Sequence, residues 1–203
     1  VTIGVVSGVL GIRWFDCTVT GMEAHAGPTP MALRKDALQV ATHIMQETVA
    51  AALRHAPHGR GTVGMVQVFP NSRNVIPGRV KFSIDLRNST DALVDQMADE
   101  VKAFAASLSA KTGLDVKIEL VSSYPAQVFH DDCKGAVARA AAKLGYSNMP
   151  VVSGAGHDAV YMAKLAPTGM IFIPCLNGIS HNEIESATPE HIAAGCNVLL
   201  HAM

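Results

Sequence analysis

The stretch 79-RVKFSIDLR-87 alternates apolar and polar residues along its whole length. Because side chains of a strand point alternately to its two faces, the apolar residues share one face of a predicted strand: Val80, Phe82, Ile84 and Leu86. The opposite face carries Lys81, Ser83, Asp85 and Arg87. The pattern predicts a sheet with one covered face and one open face, and Arg87 points to the open one.

The elements predicted on either side complete the order β-α-β-β-α-β. Further strands are predicted at 13–20, 62–69 and 116–120, from runs rich in β-branched and aromatic residues. One helix should begin with Thr29 as N-cap and Pro30 at its first position, and should run to about Arg54. The second should run from Asp91 to Lys111, before a glycine at 113. This order is ferredoxin-like: two helices cover one face of a four-stranded antiparallel sheet.

After 125 the pattern changes to that of an incomplete α/β domain. Helices are predicted at 134–144 and 158–165, and a last one opens at Thr188-Pro189. The run 170-MIFIP-174 indicates a buried parallel strand, and residues 1–10 should supply one more. Because these few strands cannot close such a domain, we expect the beginning of its sheet to be absent. We therefore expect the chain to be cut from a longer one.

The composition supports a packed protein with covered surface. Of the 203 residues, 49% are apolar and only 16% are charged, against roughly 25% in a typical domain. Such a chain is expected to bury surface against a partner subunit or against another part of its own polypeptide.

Several classes of protein are disfavoured. A net charge of −1 without a basic cluster argues against nucleic-acid binding, and no apolar run reaches the roughly 18 residues of a membrane span. The first residues lack the features of a signal peptide. Widely separated cysteines without C-x-x-C indicate neither a zinc ribbon nor a disulfide framework. The expected compartment is therefore the reducing cytoplasm.

Four short motifs contain candidate functional residues. They are 25-HAGPTP-30, 70-PNSRNVIPG-78 leading into 85-DLR-87, 153-SGAGHDA-159, and 178-GISHNE-183. Glycine and two prolines hold His25 in a rigid loop, which suits an imidazole that must meet an anion. The guanidinium fork of Arg87 suits a carboxylate. His181 follows a strand and a glycine, where α/β sheets place functional residues, and an imidazole there can be a metal ligand.

Each of these residues also has a structural interpretation. His25 can be surface decoration, Asn74 can serve the turn before Pro77, and Arg87 can be a solvated strand-edge residue. His157 can belong to a glycine-rich turn that opens a short helix, or to a rigid backbone that approaches a substrate. Spacing alone shows no metal site, because the metal-binding motif H-E-x-x-H does not occur.

Taken in order, the four motifs resemble one family. That family comprises the N-carbamoyl-L-amino-acid hydrolases, β-ureidopropionases and allantoate amidohydrolases, within the dinuclear-metal clan of aminoacylases and carboxypeptidases. The resemblance covers almost the whole chain. It implies a catalytic-domain segment at 1–11, a ferredoxin-like lid and dimerisation domain at 12–124, and the C-terminal part of a zinc-peptidase-like α/β domain at 125–203.

The resemblance also implies roles for single residues. His181 is similar to a metal ligand, for two divalent ions that are Zn, Mn, Co or Ni. His25 resembles a lid histidine that reaches the partner subunit's active site and stabilises an oxyanion. Asn74 and Arg87 resemble the pair that holds the substrate carboxylate, and His157 is placed in the substrate pocket. The implied partners are a small N-carbamoyl or ureido acid and, through the lid, a second copy of the chain.

The sequence departs from that family in its metal ligands. The Glu-Glu pair and the His-Ile-Glu-Gln-Gly-Pro motif do not occur in these 203 residues. The chain alone is therefore expected to be inactive, although the resemblance implies that the parent protein is an amidohydrolase. Two alternatives stay open: an aminoacylase or carboxypeptidase of the same clan, and a non-catalytic ferredoxin-like dimerisation module.

Overall fold

A computed structural model describes all of the residues, Val1–Met203. Eleven strands are present: β1 (Ile3–Val9), β2 (Gly11–Thr20), β3 (Ala24–His25), β4 (Arg60–Thr62), β5 (Val66–Phe69), β6 (Val75–Ile76), β7 (Arg79–Asn88), β8 (Asp115–Tyr124), β9 (Gln127–Val128), β10 (Asn148–Ser153) and β11 (Met170–Phe172). Five α-helices accompany them: α1 (Ala37–Arg54), α2 (Asp91–Thr112), α3 (Asp131–Lys143), α4 (Ala159–Met162) and α5 (Pro189–Ala202). The chain forms two compact units: a central unit, Gly11–Ala126, and a terminal unit made of Val1–Leu10 and Gln127–Met203.

The central unit has the ferredoxin-like fold that the sequence predicts. Its sheet has the order β4-β7-β2-β8, with β5 also paired to β7, and every pairing is antiparallel. The strand β2 pairs with β7 along its whole length, from Gly11 opposite Asn88 to Thr20 opposite Arg79. The apolar face of β7 is fully buried under α1 and α2, as the alternation predicts: Val80, Phe82, Ile84 and Leu86.

The second helix begins and ends where the sequence predicts. The Thr90 hydroxyl accepts a hydrogen bond from the Leu93 amide, which makes Thr90 the N-cap of α2. Gly113 adopts a left-handed conformation with φ of 69° and ends the helix, a conformation that glycine reaches without a Cβ clash.

The predicted start of the first helix is wrong. Thr29 and Pro30 lead only into a 3₁₀ turn at Met31–Leu33, after which the backbone becomes extended at Arg34. The N-cap of α1 is Asp36, whose carboxylate accepts from the Leu38 amide at 2.9 Å and the Gln39 amide at 3.3 Å. A carboxylate that satisfies two free amides starts the helix there, so α1 begins at Ala37.

The strand predicted at 62–69 is in fact two strands. Both β4 and β5 pair with β7, but residues 63–65 lie opposite only Ser83 and Ile84. One extra residue in the outer strand forces a bulge that interrupts the pairing. Ser83 bridges the interruption, because its amide donates to the Met65 carbonyl and its hydroxyl accepts from the Met65 amide.

The terminal unit is built on β1, the strand expected within the first ten residues. This strand lies between β10, which is parallel to it, and β11, which is antiparallel, and β9 also pairs with it. A core of small and branched residues packs α3 and α5 against this sheet, including Ile3, Val137, Ala141 and Val198. Thr188 caps α5 as predicted, by accepting from the His191 amide.

Four features of this unit differ from the prediction. The run 170–174 is a half-buried, antiparallel strand of three residues rather than a buried parallel one. The helix α4, which precedes this strand, has only four residues and spans less than the predicted 158–165. The strand β10 is missing from the prediction, because Pro150 and few apolar residues obscure it. The third helix starts at Asp131, three residues early, with His130 as N-cap.

None of the five helices has the length and apolar character that crossing a membrane requires.

Candidate functional site

His25 and Asn74 lie side by side in the central unit. The two-residue strands β3 and β6 are antiparallel, with His25 opposite Val75. The Ala26 amide donates to the Asn74 carbonyl at 2.9 Å. Two motifs separated by almost 50 positions in the chain thus meet at the Thr20 and Arg79 ends of β2 and β7.

The ring of His25 is held in one orientation by its own loop. Its Nδ1 accepts a hydrogen bond from the Gly27 amide at 3.0 Å. A neutral imidazole that accepts at Nδ1 carries its proton on Nε2, so the exposed side chain presents an N–H donor to solvent. Gly27 suits this arrangement, since a Cβ there would lie 3.3 Å from the His25 Cε1. An oriented, exposed N–H is suited to meeting a negatively charged oxygen.

Asn74 serves a turn and also offers a donor. The Val75 amide donates to the Ser72 carbonyl at 3.3 Å, and the Asn74 Oδ1 accepts from the Ser72 hydroxyl at 2.9 Å. The structural interpretation of Asn74 is therefore confirmed for its oxygen. Its amide nitrogen, which carries two N–H groups, is on an exposed side chain beside the His25 loop.

Arg87 lies on the open face of the sheet and already holds a carboxylate. Its Nε donates to the Asp85 Oδ1 at 2.9 Å and its Nη2 to the Asp85 Oδ2 at 2.6 Å. Both side chains are about three-quarters buried, and the hydrogen bonds that Arg87 donates to the Asp85 carboxylate raise the pKa of the Arg87 guanidinium. The fork is thus permanently charged and rigidly oriented, as carboxylate recognition requires.

The structure does not bring Arg87 to Asn74 and His25 within one chain. Arg87 lies opposite Ile12 and Arg60, at one end of β7, whereas the His25 and Asn74 loops follow the other end. Eight residues of extended strand between Arg79 and Arg87 correspond to about 26 Å. That is too far for both groups to bind one small carboxylate in the same protomer.

His157, in the terminal unit, is half-buried and takes part in a turn that begins at the buried Ser153. Its Nε2 lies 2.8 Å from the hydroxyl of Ser153, which also donates to the Ala155 carbonyl and accepts from the Ala155 amide. The ring packs edge-on to Phe172, with 5.6 Å between the ring centroids. A Ser–His pair can act as a nucleophile, but Ser153 is only 2% exposed and its hydroxyl is fully used. The pair therefore stabilises the turn at 153–157.

His181 lies in the loop after β11 and is exposed. The backbone there is left-handed, with φ of 55°, and the His181 amide donates to the Glu185 carboxylate at 3.0 Å. The Asn182 side chain accepts from the Ile184 amide instead of orienting the imidazole. A tight turn thus projects the imidazole outward. A side chain that binds a metal ion from one side would be held in the same way.

The residues of this chain do not form a complete metal centre. Nowhere in Val1–Met203 do three His, Cys, Asp or Glu side chains converge closely enough to hold an ion. A protein-bound divalent ion with catalytic function usually takes three or more such ligands. His181 offers one.

Two contacts around the site were absent from the sequence interpretation. The pairing of Asp85 with Arg87 had a signal, because residues two apart share a strand face. The second concerns Arg34, whose guanidinium donates to the carbonyls of Ala26 and Thr29. Nothing in the spacing of Arg34 indicates that it folds back onto the His25 loop.

Comparison with known proteins identifies the family. The model described as Peptidase family M20/M25/M40 matches residues 14–203. The N-carbamoyl-L-amino-acid amidohydrolase of Rhizobium meliloti is 43% identical over 201 residues, which are 99% of this chain and 48% of that protein. The allantoate amidohydrolase of Escherichia coli (strain K12) is 31% identical over 198 residues, covering 98% and 48%.

Solved structures agree with these relatives. A hydantoinase/carbamoylase family amidase from Burkholderia multivorans superimposes with a TM-score of 0.95 at 52% identity, over 99% of this chain and 49% of that one. The chain spans about half the length of the curated relatives it matches. The names of these homologues confirm the resemblance seen in the four motifs. The chain belongs to peptidase family M20/M25/M40.

Proposed function

We propose that the whole protein hydrolyses a linear amide or ureido C–N bond next to a free carboxylate. Its substrates are N-carbamoyl-L-amino acids or related ureido acids such as allantoate and N-carbamoyl-β-alanine. The relatives named as amidohydrolases of such acids support this. The observation that carries the proposal is the His25 ring, fixed through Nδ1 so that an exposed Nε2–H is free to donate.

The site residues have complementary parts in this reaction. Water forms a bond to the carbonyl carbon and gives up one proton, which is later carried away by the leaving nitrogen. The carbonyl oxygen becomes an oxyanion, and the His25 Nε2–H donates to that oxygen. Arg87 and Asn74 anchor the carboxylate and so fix the position of the carbonyl. Collapse of the adduct breaks the C–N bond, and the amine leaves with a proton. From an N-carbamoyl acid the other product is carbamate, which decomposes to carbon dioxide and ammonia.

The distance between Arg87 and the His25 loop supports a site shared between two protomers. In that arrangement His25 and Asn74 of one lid enter the site that contains Arg87 of the partner chain. The edge strand β8 supports pairing of the lids, because it exposes large side chains on the sheet border: Leu120 at 58%, Val121 at 57% and Tyr124 at 41%. Uncovered edge strands with apolar residues are rare in proteins that stay monomeric.

Metal dependence is typical of family M20. We propose that two divalent ions, Zn, Mn, Co or Ni, serve the whole protein and that His181 is one ligand. The other ligands do not lie among these residues, because no three donors converge in them. The chain by itself is therefore proposed to be inactive, and the proposed compartment is the cytoplasm.

A substrate panel tests the proposal. The complete polypeptide, supplied with each divalent ion in turn, is incubated with N-carbamoyl-L-amino acids, allantoate, N-carbamoyl-β-alanine, N-acetyl-L-amino acids and dipeptides. We expect ammonia and free amine from at least one of the ureido acids, and no turnover by residues 1–203 alone. Cleavage of only the N-acetyl acids or dipeptides would replace the proposal by an aminoacylase or peptidase. No cleavage with any metal would favour the non-catalytic module.

A further inference from the structure

The loop that carries His25 has few contacts of its own. Its backbone is paired with neighbouring segments by the two-residue strands β3 and β6 and by the isolated bridge between Met22 and Lys35. Within the loop, the Thr29 amide donates to the His25 carbonyl at a long 3.4 Å. Such a loop, rich in glycine and proline but short of hydrogen bonds, needs another restraint to keep an exposed ring in one orientation.

Arg34 supplies a restraint from outside the loop. Its Nη2 donates to the Ala26 carbonyl at 2.7 Å and its Nε to the Thr29 carbonyl at 3.1 Å. The two acceptors lie on either side of Gly27 and Pro28, so one guanidinium spans the tip of the loop. Arg34 is half-buried. Its own backbone is fixed between the 3₁₀ turn, to which its amide donates at Met31, and Asp36, the N-cap of α1.

We infer that Arg34 is a positioning residue for His25, an inference that rests on the proposed function only for its catalytic consequence. By holding the carbonyls of Ala26 and Thr29 it keeps the Gly27 amide directed at the His25 Nδ1. That amide selects the tautomer with the proton on Nε2. Arg34 thus decides whether His25 presents a donor or a lone pair to an incoming oxygen, although it lies at the opposite side of the loop.

Contact with both carbonyls requires the two diverging donors of a guanidinium and not only a positive charge. The Nε and Nη2 donors of Arg34 diverge along one edge of a rigid plane, so they reach two carbonyls at once. A lysine ammonium at the end of a flexible stem can hold only one of these carbonyls well. The neighbouring Lys35 carries the same charge on an exposed side chain, and it provides a matched control for loss of charge.

The tautomer of His25 can be measured directly in the 203-residue chain. After ¹⁵N-histidine labelling, long-range ¹H–¹⁵N spectra are recorded at a pH where the histidines are neutral, with His25→Gln identifying the signal. We expect the Nε2–H tautomer in the wild type and in Lys35→Met, a mixture in Arg34→Met, and a partial return in Arg34→Lys. A His25 signal unchanged in both Arg34 variants would overturn the inference. The other histidine signals report whether each variant is folded.

Kinetics of the complete polypeptide then separate this inference from the proposed function. Arg34→Met should lower kcat on the order of 10- to 10²-fold, the cost of a misplaced catalytic group, while KM stays near that of the wild type. A tautomer shift with unchanged kcat would leave Arg34 as the positioning residue and remove His25 from the proposed chemistry. A rise in KM with unchanged kcat would contradict the positioning of an oxyanion donor and place Arg34 in substrate binding.

Discussion

The prediction for Arg87 was correct about the position of the side chain but incomplete about its contacts. The sequence identified a fork on the open face of the sheet, which the structure confirms. It did not predict that Asp85 already holds two of the fork's donors. Because the charge is pre-oriented and about three-quarters buried, a substrate carboxylate would meet a guanidinium that needs no further ordering.

Replacement of Arg87 by lysine tests this fork. In the complete enzyme, Arg87→Lys should raise KM and lower kcat/KM by the equivalent of about 2 to 3 kcal/mol, the scale of a lost charge-assisted hydrogen bond. Steady-state kinetics on an N-carbamoyl amino acid provide the measurement. The same exchange at Arg79, which stacks on Phe69 at the other end of β7, should leave KM near that of the wild type. An unchanged kcat/KM in Arg87→Lys would remove this residue from the site.

At the scale of elements, local signals predicted the central unit well. The alternation along β7 and the Gly113 stop depend on neighbours in the chain, and both are confirmed. The terminal unit was predicted less well, because the direction of β11 is set by its pairing with β1, which is more than 160 positions away in the chain. Likewise, Pro150 obscures β10, whose pairing with β1 comes from residues almost 150 positions away. Such long-range pairings leave little trace in a local pattern.

The start of α1 gives a measurable contrast between two candidate caps. Thr29 fits the local pattern of an N-cap, but the structure assigns that role to Asp36. Asp36→Ala should therefore lower the free energy of unfolding by about 1 kcal/mol, through loss of two hydrogen bonds to helix amides. Thr29→Ala should change it by no more than about 0.5 kcal/mol, as at an ordinary surface position. Urea denaturation of the 203-residue chain compares the two variants, and equal effects would contradict the assignment.

At the scale of the whole molecule, the candidate site is divided, as the resemblance of His25 to a lid histidine that acts in the partner subunit implies. The four motifs lie in one order along the chain, but the fold separates them, with His25 and Asn74 at one end of the central unit and Arg87 at the other. His157 and His181 belong to the terminal unit. A sequence gives the identity of each residue and its neighbours in the chain. A site shared between two protomers also depends on how a second copy of the chain packs against the first.

Complementation between two inactive variants tests whether the site is shared. His25→Ala should lower kcat by roughly 10²- to 10³-fold, the usual effect of losing one oxyanion donor, and should leave the metal content intact. His181→Ala should lower both the activity and the amount of bound metal, because a direct ligand is lost. Each homodimer is therefore nearly inactive for a different reason.

The activity of a heterodimer of these two variants depends on whether His25 acts across the interface or within its own chain. If His25 acts across the interface, the site built on the intact His181 of one protomer receives the intact His25 of the other. That site is then complete, whereas the second site lacks both residues. Activity should return to about half of the wild-type value per dimer, measured on doubly tagged, purified heterodimers with metal analysis alongside, because one of two equivalent sites is restored. If His25 acts within its own chain, neither site has both histidines. A folded heterodimer with half the metal of the wild type and no recovered activity would therefore exclude the shared site.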